Sequence, residues 1–196
     1  MKILKLFLFL ILALVLVFFL FGLLKPTVNY GHEITVNKSL EEAWAVQQDE
    51  TKLGQWLEGF QSIELISGEK GKVGSKYKVV VKPEGQPDFV MTETIKSIKE
   101  MDHFTIEMDS DMMLFDQTIS FKESNGKVAI KTDSKVTGKG LMTKSMFALM
   151  ETLGGMFQKQ EAKNIEALKT VIESNTTDYF PVMTPKVLED IEVETK

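Results

Sequence analysis

Between Phe60 and Thr137 the chain alternates apolar and polar side chains in short runs, the period-two signature of strands with one face buried and one in water. Tyr77, Val79 and Val81 oppose Lys76, Lys78 and Lys82, and Phe104, Ile106 and Met108 oppose Thr105, Glu107 and Asp109. Val128, Ile130 and Val136 oppose Lys131, Asp133 and Lys135. Six strands are predicted: Phe60 to Ser67, Ser75 to Lys82, Val90 to Ile98, His103 to Asp109, Leu114 to Glu123 and Lys127 to Thr137. The links between them are short, and Asn125-Gly126 is a strong hairpin signal, so the pattern describes an antiparallel meander. An earlier strand is predicted at Tyr30 to Val36. Ser39 then reads as an N-cap with Glu42 completing a capping box, opening a short helix, and a second short helix is expected from Glu50 to Trp56.

The period changes after the meander. From Leu141 to Glu173 apolar side chains recur near 3.6 residues at Met142, Met146, Leu149, Met150, Leu153, Met156, Phe157, Ile165, Leu168 and Ile172, predicting one long amphipathic helix rich in methionine. Gly154-Gly155 interrupts it at a cost of about 1 kcal/mol each relative to alanine. A bend that opens the helix over a cavity, close packing, and a break into two helices are the three readings of that pair.

The amino terminus differs again. Leu6 to Leu24 carries no charge and contains only Ala13 and Gly22 besides bulky apolar groups. As a helix it is ~28 Å long, enough to cross the hydrocarbon core of a bilayer. The run is longer than a signal-peptide core, and Gly22-Leu23-Leu24-Lys25 offers no small-x-small cleavage site, which favours a retained anchor. Lys2 and Lys5 precede it and Lys25 follows, so the positive-inside rule places the amino terminus in the cytoplasm and the folded domain on the outer, periplasmic or extracellular, side. The expected organisation is an anchor over 1–25, one domain over 26–174 and a tail over 175–196, in which Tyr179-Phe180 is expected to dock.

The chain of 196 residues has 23 basic and 28 acidic residues, and every basic one is lysine. Setting aside Lys2, Lys5 and Lys25 leaves a net charge of −8 on the remainder. That charge argues against nucleic acid as a partner, and the lack of arginine argues against phosphate or carboxylate clamps. With no cysteine there are no disulfides, thiolate metal sites or thiol nucleophiles. His32 and His103 show no metal-ligand spacing, so neither a metal nor a cofactor is expected.

The order strand, two short helices, six strands, long helix, together with Val36-Asn37-Lys38-Ser39-Leu40-Glu41-Glu42-Ala43-Trp44, Lys52-Leu53-Gly54-Gln55-Trp56, Ser62-Ile63-Glu64-Leu65 and Lys72-Val73-Gly74-Ser75-Lys76-Tyr77-Lys78-Val79, resembles the helix-grip superfamily. That superfamily includes START domains, polyketide cyclases and coenzyme-Q-binding proteins. The resemblance covers Glu33 to about Ser174. It implies an α+β domain, a seven-stranded antiparallel sheet wrapped around the terminal helix, with an internal cavity and no shared catalytic motif.

Candidate cavity residues follow from phase. Met91 and Met108 on strands, and Met146, Met150, Leu153 and Phe157 on the helix, supply deformable apolar lining. Tyr77, Phe104 and Phe115 share inward phases, and Trp56 and Phe60 are expected at the mouth. Glu93, Gln117, Thr132 and Ser134 are polar residues at otherwise apolar positions. Glu93 is the one candidate for acid–base chemistry, set against ligand hydrogen bonding or a structural pairing. The expected function is membrane-tethered, non-catalytic binding of a lipid or other apolar small molecule. A cyclase-like enzyme and an interaction module with a filled core are the alternatives.

Overall fold

A computed structural model describes residues 2–82, 85 and 87–180. The first helix, α1, runs Lys2–Leu24 and is almost wholly exposed apart from its last turns. It begins four residues before the uncharged run. After Lys25-Pro26 come β1 (Thr27–Tyr30) and β2 (Glu33–Val36), which pair in succession with one partner strand, so the single early strand expected from sequence is divided at Gly31-His32. Gly31 is where they part, because its backbone lies against the Thr132 carbonyl, 2.2 Å from where a Cβ would sit. There α2 (Leu40–Gln48) opens at its predicted N-cap, the Glu42 N–H donating to Ser39 Oγ at 3.2 Å, but the expected capping box is not completed. The Glu42 carboxylate is taken by Lys38 Nζ at 2.7 Å and Asn175 Nδ2 at 3.0 Å. The second short helix resolves into a 3-10 turn at Glu50–Lys52 and a single α-turn, α3 (Leu53–Trp56).

The meander follows as β3 (Phe60–Ser67), β4 (Lys76–Val81), β5 (Phe89–Lys99), β6 (His103–Asp109), β7 (Met113–Ser124) and β8 (Lys127–Gly138). All neighbours are antiparallel in the order β1-β8-β7-β6-β5-β4-β3, with β2 also on β8. The eight strands therefore occupy seven positions across the sheet. Asn125 and Gly126 both take positive φ, 53° and 72°, as the tight β7–β8 turn requires. Alternation is cleanest in β8, where 128, 130, 132, 134, 136 and 138 are all buried. A register shift between Ile95 and Ser97 in β5 lets Ile98 join the core as Ile95 does.

The expected single long helix is two: α4 (Leu141–Gly154) and α5 (Met156–Glu173). Gly155, between them, is left-handed at φ 57°, ψ 42°, a conformation that ends a helix and that side chains disfavour. Glu151 caps both sides of the break. Its carbonyl accepts the Gly155 N–H at 2.8 Å, and its carboxylate accepts the Phe157 N–H at 2.8 Å. The main core is closed by α5. Its Ile165, Leu168 and Ile172 close a core with Val36, Val46, Val128 and Ile130, all almost fully buried. By contrast α4 packs on β1, β8 and the last turns of α1.

At the end of the domain Asn175 is buried, and the Tyr179 hydroxyl donates to Asp49 Oδ2 at 2.7 Å, so the tail docks through Tyr179. Phe180 is exposed, which corrects its expected part in that docking. Residues 181–196, including Pro181 and the acidic end, lie outside the described residues.

Candidate ligand cavity

Towards the end of the sheet that carries β4 to β6, the space between its concave face and the helices is not filled. With only one turn, α3 covers little of it. There α5 presents Gln160, Glu161 and Asn164 beside Phe157 rather than a continuous apolar stripe. Two adjoining lobes result, of about 300 Å³ and about 240 Å³. Trp56, Leu57, Val79, Met108 and Gln117 border both.

The first lobe lies among Leu53, Phe60, Tyr77, Glu93, Ile95, Phe104, Ile106 and Ile119. Glu50, Lys70 and Gly71 also line it, with Lys70 Nζ 2.7 Å from Glu50 Oε2 and the Gly71 N–H donating to the Tyr77 hydroxyl at 2.8 Å. The β3–β4 connection is thereby latched to the 3-10 turn that precedes α3. The second lobe lies among Tyr30, Val81, Met91, Met113, Phe115, Val136, Phe157 and Ile165, with Glu58, Gln160 and Asn164 at its lip.

Three polar features stand out in this apolar surround. The Trp56 indole N–H is buried and has no hydrogen-bond partner among the described residues. Leaving such a donor unsatisfied costs about 1–3 kcal/mol, so a guest acceptor would be rewarded there. Glu93, on β5 opposite Tyr77, is buried, and its carboxyl is pushed up to about 7, first by desolvation and then by the charge of Glu50. Glu161 is a buried carboxylate on α5 that is satisfied: Ser134 Oγ donates at 2.8 Å, and Gln117 Nε2 lies 2.9 and 3.1 Å from its two oxygens. Tyr30 stacks between Phe115 and Phe157, with ring centroids 6.5 and 5.6 Å away. Burial first, then the field of Glu161 and Glu151, drives its phenol upward, so it stays protonated.

Of the residues singled out in the sequence, Trp56, Phe60, Tyr77, Glu93, Phe104, Met108 and Gln117 meet in the first lobe. Met91, Phe115 and Phe157 join the second. Five others lie elsewhere. Thr132 is fully buried against the backbone of His32, whose N–H donates to its Oγ1 at 3.0 Å. Ser134 sits behind Gln117 and Glu161 as their support. Met146 packs against the cluster of Val28, Val136 and Phe147 without bordering either lobe. Met150 borders an outer groove with Gly154, Met156, Lys159 and Lys163, and Leu153 is 78% exposed. The physical reason for the last three is the break at Gly155, which turns the apolar stripe of α4 away from the cavity.

Tyr30, Met113, Leu53, Leu57, Ile106 and Glu161 line the cavity without having been singled out as candidates. For Glu161 a signal existed: it is four residues from both Phe157 and Ile165, a carboxylate in the middle of the apolar stripe. His32 pairs with exposed Glu166 at 3.1 Å, and His103 Nε2 lies 2.9 Å from Ser97 Oγ. Among the described residues no three His, Cys, Asp or Glu side chains are gathered as a metal site would need.

This architecture, a curled antiparallel sheet closed over a carboxy-terminal helix with a hollow between them, is the helix-grip fold. No family model matches the sequence, and no curated protein matches it. Solved structures do match the folded domain. Ara h 8.0201 superposes with a TM-score of 0.54 at 18% identity, over 76% of this chain and 99% of that one. A conserved protein from Geobacillus kaustophilus gives 0.59 at 16% identity, over 74% and 95%. BexL, the di-domain ARO/CYC from the BE-7585A biosynthetic pathway, gives 0.57 at 9% identity, over 77% of this chain and 52% of that one. At these identities the likeness is one of fold.

Proposed function

We propose that the protein binds a lipid or other apolar small molecule bearing one hydrogen-bonding group, without transforming it, and that α1 tethers it to a membrane with the domain on the outer side. The carrying observation is the two-lobed apolar hollow with a Trp56 N–H on its shared wall that has no partner among the described residues. An elongated guest would lie across Trp56 and Met108 from lobe to lobe, its acceptor on the indole and its chains against methionine and phenylalanine. Methionine suits a guest of variable shape, since its thioether side chain repacks at low cost. Anchoring raises the local concentration of a membrane-derived ligand without new contacts.

The test is native mass spectrometry of the full chain extracted from membranes in mild detergent, with organic extraction of the same sample. An apolar species copurifying in equimolar amount, and lost when Val79→Phe narrows both lobes, is the expected result. An empty protein that takes up no fatty acid or isoprenoid would overturn the proposal.

One observation favours a second reading, that of an enzyme similar to the ARO/CYC neighbour: the Glu93 carboxyl, held near neutrality inside the first lobe, is poised to exchange a proton. Turnover of a bound polyketide-like substrate that vanishes in Glu93→Gln would establish it. Unchanged ligand uptake by Glu93→Gln without detectable turnover supports the carrier.

A further inference from the structure

The anchoring helix and the folded domain are not joined by a free linker. The backbone of Gly22 in α1 presses on α4: a Cβ there would lie 2.3 Å from Ser145 Oγ, 2.7 Å from the Ser145 nitrogen and 3.0 Å from the Leu141 carbonyl. Gly22 and Ser145 are buried, and the Ser145 hydroxyl donates to the Leu141 carbonyl at 2.8 Å. Lys25 Nζ donates to Thr152 Oγ1 at 3.3 Å. One pole of the domain is thus held at the depth of the last turn of α1. A span of 23 residues is about 34 Å long against a hydrocarbon core of about 30 Å, so that last turn falls at the boundary of the bilayer.

That pole exposes apolar side chains. Met142 is 65% exposed, Leu141 41% and Met112, at the tip of the β6–β7 hairpin, 44%. The Lys139 N–H donates to the Met112 carbonyl at 2.7 Å, which brings the hairpin tip beside the start of α4. Charges there are few and mixed: Lys139 is paired with Asp109, and Asp111 and Lys144 flank the apolar trio. A shallow seat among lipid headgroups fits such a surface.

We infer that the pole formed by Met112, Leu141 and Met142 rests in the membrane interface, giving the domain a second contact with the bilayer and a fixed orientation on it. The inference rests on the membrane-anchor reading. It also assigns the two lobes: the second, bounded by Val81, Met113 and Phe115 at the same ends of the strands, is the one nearest the lipid. The β7–β8 turn at Lys127 is at the far end of a twelve-residue strand, roughly 36 Å away.

The sequence has no cysteine, so single probes can be placed without background. Full-length Met112→Cys, Met142→Cys, Lys127→Cys and Leu12→Cys are labelled with bimane and reconstituted into phosphatidylcholine vesicles containing a minority of phosphatidylglycerol. Nitroxide-bearing lipids supply quenchers at headgroup or mid-chain depth. Positions 112 and 142 are expected to lose at least half their emission to the shallow quencher, position 12 to the deep one, and position 127 to neither. Position 12 quenched while 112 and 142 behave like 127 would overturn this inference and leave the anchor standing. Position 12 unquenched by lipid would overturn both.

Discussion

The two ends of the sheet are built differently. Where β2, β8 and α2 meet the second half of α5, the core is closed by Val36, Val46, Val128, Ile130, Ile165, Leu168 and Ile172, side chains with few rotamers, packed with almost no exposure. Where β4 to β6 face α3 and the first turns of α5, Met91, Met108, Met113, Phe60, Phe104 and Phe115 join Val79, Ile95, Ile106 and Ile119 in the lining, and two lobes stay open. The buried donor without a partner among the described residues, Trp56 Nε1, and the buried carboxyl of Glu93, raised to about 7, both lie at the open end. The other tryptophan, Trp44, sits at the closed end with its ring edge-on to Phe121, centroids 5.2 Å apart. A fold can therefore concentrate its stability in one half and leave the other unfilled for a guest.

The largest effect expected from this contrast is on stability. Leu168→Ala in the closed half should cost about 2–5 kcal/mol, as a cavity in a rigid core does. Met108→Ala, on the shared wall of the lobes, should cost well under half as much, because the space beside it is already open. Urea unfolding of the full chain in detergent compares the two. Equal losses would mean that the open half is packed as tightly as the closed one.

Next in size is a pH effect. Glu93 has its folded pKa raised from 4.5 to about 7, so the native state holds this proton more firmly than the unfolded chain. Its contribution is complete below pH 4.5 and is lost as pH rises towards 7, a fall of at most roughly 3 kcal/mol. Glu93→Gln should remove that slope and leave the variant more stable than the parent at pH 8, as unfolding between pH 5 and 8 would read.

Smaller still, Val79→Phe should change stability by less than about 1.5 kcal/mol, since it fills open space rather than a packed core, while abolishing ligand uptake. Of similar size is the effect at the helix break. Gly155→Ala should cost about 1–2 kcal/mol for its left-handed backbone, whereas Gly154→Ala, with nothing within 4 Å of its new methyl, should be neutral or slightly stabilising.

The strand half of the molecule was legible because alternation fixes both element and face. Tyr77, Met91, Glu93, Phe104, Met108, Phe115 and Gln117 were placed inward by phase alone, and each lines a lobe. The helical half was harder. Apolar residues flank Gly154-Gly155 at helical spacing, and periodicity cannot show that Gly155 turns left-handed. One straight helix would carry Met146, Met150 and Leu153 into the cavity, and with the break they lie outside it. Gly22, in an otherwise featureless apolar run, gave no sign that it marks a close helix crossing, because the partner helix is more than a hundred residues away. Glu161 is readable from its place within the apolar stripe, four residues from Phe157 and from Ile165.

The two tryptophans allow the contrast between the halves to be measured directly. Full-length Trp44→Phe retains only Trp56 in the hollow, and Trp56→Phe retains only Trp44 in the closed core. Each is titrated with dibromostearate, whose bromine atoms quench on contact. A ligand chamber at the open end predicts saturable quenching of Trp56 and little of Trp44. Equal quenching of both, or of neither, would contradict it.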